Sequence, residues 1–148
     1  MLNSRHNSKL GTVLFYLLWP LVWFYAPLRV RVRVMLIVGT QVAVVKNWFG
    51  PSFWQLPGGG MKFGEQAFET AVREIHEELG VDLEVTTVQQ LTTEPEIVKS
   101  GGLLFRYHYV VCKLDAKPEF ELSKEVIDAS WVDLTSVAIP QNVIAKLS

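Results

Sequence analysis

Pro57-Gly58-Gly59-Gly60 leads into Ala67–Leu79, where apolar residues recur at helical spacing and glutamates occupy the opposite side. No other stretch constrains the chain so tightly. Ala67, Phe68, Ala71, Val72, Ile75 and Leu79 share one helical face, and such a face needs another element to cover it. Gly80 stands where a helix C-terminus takes a left-handed residue. The spacing predicts a helix over 67–79, entered from a loop whose glycines let the backbone approach a ligand. Glu74, Glu77 and Glu78 fall at i, i+3 and i+4, which places three carboxylates together. Like charges this close raise one another's proton affinity unless a cation offsets them. Oxygen donors suit Mg²⁺ or Mn²⁺, and the clustered His and Cys that zinc prefers are missing. Taken alone, a glutamate-rich face is also what a solvated helix presents.

Around that helix the pattern is mostly strand. Val30, Val32, Val34 and Leu36 alternate with Arg31, Arg33, Met35 and Ile37; Gly39-Thr40 marks a turn, and Gln41–Lys46 returns. Leu83–Leu91 and Leu103–Leu114 read as strands joined by a polar loop holding Glu94, Glu96 and Gly101-Gly102. A short strand over Ala129–Val132 and a helix over Gln141–Leu147 follow. This order indicates a mixed α/β domain over residues 29–148. With 49% hydrophobic residues the chain is no disordered tail, and its single cysteine, Cys112, excludes a disulfide scaffold. His76 reads as an exposed helix residue; His108 and Cys112 read as packed strand residues.

Residues 1–28 differ in character. Leu10–Leu28 carries no ionisable charge and, as a helix, would extend roughly 28 Å, close to a bilayer's hydrocarbon core. Arg5 and Lys9 precede it, and Arg29, Arg31 and Arg33 follow, where they could meet lipid phosphates. Small residues at a signal-peptidase spacing are lacking around Ala26. Membrane association, spanning or in the interface, competes here with a helix packed on the domain or on another copy. The charge balance sharpens the contrast. The net charge is −1, yet the first acidic residue is Glu65, and all 15 acidic groups lie in the remainder. That distribution does not suit a uniformly basic binder of nucleic-acid polymers.

Gly59–Val81 reads GGMKFGEQAFETAVREIHEELGV. It resembles the Nudix box, G-x5-E-x7-R-E-U-x-E-E-x-G-U with U a bulky aliphatic, at every defined position. Trp54-Gln55-Leu56-Pro57-Gly58 is similar to the family's usual approach to the box. The resemblance covers residues 29–148 and implies a Nudix fold, a mixed β-sheet sandwiched between α-helices, here preceded by an apolar N-terminal helix. It implies Mg²⁺-dependent hydrolysis of the pyrophosphate linkage in a nucleoside diphosphate derivative, with Mn²⁺ as a substitute ion.

By motif position, Glu74, Glu77, Glu78 and the Gly58 carbonyl would hold the metal. Glu65 and Arg73 would brace the loop and helix, together with Gly59 and Gly80. Glu74 is one candidate general base. Glu125, six residues before Trp131, is another, because this spacing is similar to that of MutT-type members. Trp54, Lys62 and Arg106 are candidate substrate contacts, and Glu94 and Glu96 are weaker catalytic candidates. A nucleotide-type small molecule is the expected partner, with a homodimer left open. The catalytic domain is expected in the cytoplasm, either free or held at the inner face of a membrane. A hydrolase of lipid-linked diphosphates and a non-catalytic ligand sensor are the alternatives.

Overall fold

A computed structural model of the chain describes residues 4–25, 29–50, 53–100 and 102–147. Helices α1 (Ser4–Leu17) and α2 (Trp19–Tyr25) come first. Strands β1 (Val30–Val38) and β2 (Gln41–Asn47) lead to α3 (Ala67–Leu79), then β3 (Val88–Gln90), β4 (Glu96–Ser100), β5 (Leu103–Lys113), β6 (Val126–Asp133) and α4 (Gln141–Ile144). The strands form one mixed sheet in the order β3-β5-β1-β2-β6, with β4 also paired to β5. β1 runs parallel to β5 from Val30↔Arg106 to Ile37↔Lys113. The expected mixed sheet between helices is what the chain forms.

β1 and β2 pair only beside their turn, at Ile37↔Val42 and Val38↔Gln41. Beyond it they splay, and the segment leading to the glycines fills the gap. Val45 exchanges both backbone hydrogen bonds with Gln55; Val34 N–H donates to the Pro57 carbonyl at 2.9 Å and Val32 N–H to that of Gly59 at 2.8 Å. The glycine loop is thus stitched into the sheet, directly under α3. Gly58 adopts φ +131°, and a β-carbon there would overlap the Val32 carbonyl oxygen, so only glycine fits.

Alternation along β1 explains the two cores. Val32, Val34 and Leu36 pack with Ala71, Ile75 and Leu79 of α3, while Met35 and Ile37 pack on the other face with Tyr109, Ile139 and Val143. Full burial of a side chain such as Ile75 contributes about 2 kcal/mol. α3 is capped at Gln66, whose N–H donates to Glu69 Oε2 at 2.8 Å in a capping box, and is closed by Gly80 with φ +68°.

Several expected elements change shape. The strand expected over Leu83–Leu91 is a 3₁₀ turn (Val85–Thr87) followed by three-residue β3, because Val81 and Leu83 turn into the α3 core and the Thr87 hydroxyl donates to the Glu84 carbonyl at 2.7 Å. The polar loop after Leu91 contains β4, which forms a hairpin with β5 through Val98↔Phe105 and its neighbours. β6 extends to both sides of Ala129–Val132, paired along β2. α4 stops at Ile144, and Lys146 and Leu147 then take tighter bonds to Val143 and Ile144.

The apolar N-terminal segment breaks at Leu18, two residues ahead of Pro20, which lacks an N–H. Residues 26–28, its expected end, lie outside the described residues. Among the described residues no helix is long and apolar enough to cross a membrane. Arg31 and Arg33 correct the expectation that both meet lipid: they sit within β1, and Arg33 donates to the Leu56 carbonyl at 2.8 Å and to Gln55 Oε1 at 2.9 Å. The strand's period turns these side chains onto the sheet face, whatever lies before them in sequence.

Candidate active site

Arg73 organises the upper side of α3. Its Nε donates to Glu65 Oε1 at 2.7 Å and its Nη2 to Glu65 Oε2 at 2.9 Å, while Nη2 also reaches the Gly60 carbonyl at 3.1 Å. Nη1 bonds Glu74 at 2.6 Å and Glu77 at 3.2 Å. Glu65 further accepts from the Thr70 hydroxyl and the Lys62 N–H. The guanidinium hydrogen bonds hold the Glu65 carboxyl down at about 2. Loop and helix are therefore one unit, locked by a charge-assisted network.

The carboxylates meet the glycines on the inner side. Gly59 lies against the Glu74 carboxylate so closely that a β-carbon would overlap it. Gly58 N–H donates to Glu78 Oε2 at 2.8 Å. Glu78 is only 4% exposed. Burial pushes its carboxyl up to about 7, and the charges of Glu74 and Glu125 add to the shift against the opposing Gly58 hydrogen bond. Burial also raises Glu74 above its ordinary value, opposed by Arg73.

The C-terminus of α3 brings in a second element. Glu121 N–H donates to the Leu79 carbonyl at 2.8 Å and Ser123 N–H to that of Glu78 at 3.2 Å, satisfying carbonyls the helix leaves open. A β-carbon on Gly80 would come within 2.7 Å of Glu121 Cβ, so the glycine also permits this docking. The result is a cavity of about 340 Å³ lined by Glu74, Glu77, Glu78, Ser123, Lys124 and Glu125. Glu125, expected from its distance to Trp131, thus faces the α3 glutamates. Its backbone carbonyl accepts from Trp48 N–H at 3.0 Å.

The residues fit a hard divalent cation. Four carboxylates line one cavity, and two of them carry a raised proton affinity that a cation would relieve. Among the described residues no three such groups are drawn to a common point; Arg73 holds Glu74 and Glu77, and Gly58 holds Glu78.

Other expected contacts lie around this centre. Lys62 is exposed, with Nζ 3.9 Å from Glu77. The partly exposed Trp54 ring lies 4.3 Å from Lys46 Nζ. Arg106 is exposed on β5, across from Ile97, and makes no hydrogen bond or ion pair with the cavity glutamates. Glu96 binds Asn142 at 2.6 Å, fastening β4 to α4, and Glu94 is exposed. His76 is exposed and pairs with Asp82, while Cys112 is buried.

Arg31 is the residue the sequence reasoning missed. It is half-buried beside the glycine segment, its backbone is bridged to Gly60, and its guanidinium makes no hydrogen bond among the described residues. Burial lowers its proton affinity, with Arg33 adding to the effect, while Glu74 and Glu78 oppose it. Two arginines on one face of an otherwise apolar strand were the available signal.

Comparison with known proteins agrees with this geometry. The NUDIX domain model matches residues 27–147. The nucleoside triphosphatase NudI of Enterobacter sp. (strain 638) is 33% identical over 93 residues, covering 59% of this chain and 66% of that protein. Mouse nucleoside diphosphate-linked moiety X motif 6 is 31% identical over 90 residues, 59% of this chain and 28% of that one. The chain thus spans less than two thirds of either relative. A bifunctional NMN adenylyltransferase/ADP ribose pyrophosphatase from Francisella tularensis, solved with AMP and a Mn ion, shares the fold with TM-score 0.62 at 20% identity, covering 89% of this chain and 41% of that one. A box matched at each defined position, folded onto a splayed sheet and recognised across nearly the whole domain, makes the chain a member of the Nudix family.

Proposed function

We propose that residues 29–148 form a Mg²⁺-dependent pyrophosphohydrolase acting on a nucleoside diphosphate derivative, either a nucleoside triphosphate or a nucleotide conjugate. One observation carries the reading: Glu74, Glu77 and Glu78 of α3 and Glu125 of the following loop line a single cavity beside Gly58 and Gly59. The names of NudI and of the Francisella enzyme support a nucleotide-type substrate.

Glu74, Glu77, Glu78 and the Gly58 carbonyl would hold the metal. When bound, it offsets charge on the pyrophosphate oxygens and acidifies a water. Arg73 keeps Glu74 and Glu77 oriented, and Glu65 keeps Arg73 in place. Arg31, charged and without a hydrogen-bond partner near Glu74 and Glu78, supplies a guanidinium to the substrate's phosphates. Arg31→Met should therefore raise KM for the nucleotide about tenfold or more with thermal stability retained; an unchanged KM excludes this role.

Glu125 is the better candidate for taking the water's proton. Its carboxylate accepts no hydrogen bond among the described residues, whereas that of Glu74 is occupied by Arg73. Glu125→Gln is expected to lower kcat by roughly 10²-fold or more while Mg²⁺ affinity stays within about twofold. Parallel kinetics and metal titration check this, and an unchanged kcat returns the role to Glu74.

A further inference from the structure

Among the described residues, nine of the seventeen exposed large hydrophobic side chains fall within residues 10–24, on α1, α2 and the Leu18 between them. One face of this pair is docked. A β-carbon on Gly11 would overlap the Trp48 carbonyl; the Thr12 hydroxyl donates to the Gly50 carbonyl at 3.1 Å, and the Phe15 ring meets Phe49 edge-on at 5.7 Å. The other face is bare. Leu10, Leu14, Leu17, Leu21 and Phe24 follow one another at helical spacing and are all exposed, Leu17 by 71% and Leu21 and Phe24 by 68% each. Exposed Trp23 and Tyr16 border the stripe with rings that favour a membrane interface. Contiguous apolar area of this kind marks an interaction site.

Charge discriminates among the candidate occupants. No acidic residue occurs before Glu65, and α1 carries Arg5 and Lys9. The β4–β5 hairpin comes close to the same unit, since a β-carbon on Gly102 in its turn would lie 4.0 Å from the Trp19 ring. Its exposed face repeats the chemistry with Ile97, Lys99, Leu104 and Arg106. Symmetric pairing with a second copy would bring such basic borders together. Crossing a bilayer would tear α1 from Trp48–Gly50. An anionic lipid surface satisfies both features, with acyl chains receiving the stripe and headgroups the bases.

We propose that the outer face of α1 and α2 is a docking surface that lies in the interface of an anionic membrane. The inference stands apart from the hydrolase reading. It also has a consequence for the cavity: Trp48, which carries α1, donates its N–H to the Glu125 carbonyl, so a docked protein holds the Glu125 loop one contact from the membrane-bound element.

Flotation of the full chain with vesicles tests this. The protein should float with phosphatidylglycerol–phosphatidylcholine vesicles, and much less with phosphatidylcholine alone or at high salt. The triple variant Leu17→Glu, Leu21→Glu, Phe24→Glu should bind at least tenfold more weakly with an unchanged melting temperature, since all three side chains are exposed. Brominated lipid should quench the wild-type tryptophan fluorescence, and Trp23→Phe should remove most of that quenching. Equal flotation of wild type and triple variant overturns the proposal, as does failure of the wild type to float. A dimer that Leu21→Glu dissociates, without lipid binding, assigns the face to a second copy instead.

Discussion

Glu78→Gln is expected to lower metal-dependent turnover by roughly 10³-fold while leaving the fold intact. Glutamine keeps the size of the side chain and can still accept from Gly58 N–H, but it loses the charge a cation needs. Stability should move the other way. In the metal-free protein burial raises the Glu78 carboxyl from 4.5 to about 7. The folded state therefore binds this proton more tightly than the unfolded chain. Its contribution is fully present below about pH 4.5 and is lost as pH rises through 7, a change on the order of 3 kcal/mol. Glu65 acts with the opposite sign in a separate window: its low value, about 2, adds stability above pH 4.5 that is lost as pH falls toward 2. Denaturant titrations in EDTA should show wild type weakening between pH 5 and 8, whereas Glu78→Gln lacks that slope and is the more stable protein at pH 8. Identical slopes in the two proteins contradict the assignment of this burial cost to Glu78.

Neighbouring glycines should fail in different ways. Gly58→Ala places a methyl against the Val32 carbonyl at a backbone conformation, φ +131°, that alanine rarely adopts. Strain and overlap with backbone together cost about 3 kcal/mol or more, and the segment that fills the β1–β2 splay should loosen. For Gly59→Ala the nearest obstacle to the new methyl is instead the carboxylate at the far end of the Glu74 side chain. The fold should survive within about 1 kcal/mol, but Glu74 must leave its place above the loop, and turnover should fall about 10²-fold. Urea melts and initial rates of the two variants separate the effects. Equal stability losses would show that Gly59 serves the sheet rather than Glu74.

Local signals made α3 legible. Its apolar period, its closing Gly80 and its glutamate spacing are all short-range properties, and the helix occupies Ala67–Leu79 as expected. The β1–β2 hairpin was equally legible from its alternation and turn. The insertion of Gln55–Met61 between two splayed strands was not, because a segment that completes a sheet through backbone groups needs no side-chain period. β4 was hidden by its polar neighbourhood, since its pairing with β5 is set by the turn at Gly102 and by packing of Val98. Arg31 and Arg33 were misread for the same reason: proximity to an apolar stretch suggested lipid, whereas strand register directs them across the sheet. The cavity itself depends on long-range docking of Glu121 and Ser123 at the end of α3, which brings Glu125 to the α3 glutamates.

Metal-dependent pyrophosphate hydrolysis at the α3 carboxylates is the activity proposed for this cavity. Product release from a panel of nucleoside triphosphates, nucleotide–sugar and dinucleotide conjugates, and lipid-linked diphosphates, each with Mg²⁺ and with EDTA, tests it most directly. Mg²⁺-dependent cleavage of at least one nucleotide, abolished by EDTA and by Glu78→Gln, is the expected result. Tight nucleotide binding without cleavage of any member of the panel, or cleavage that EDTA and Glu78→Gln leave unchanged, would contradict it.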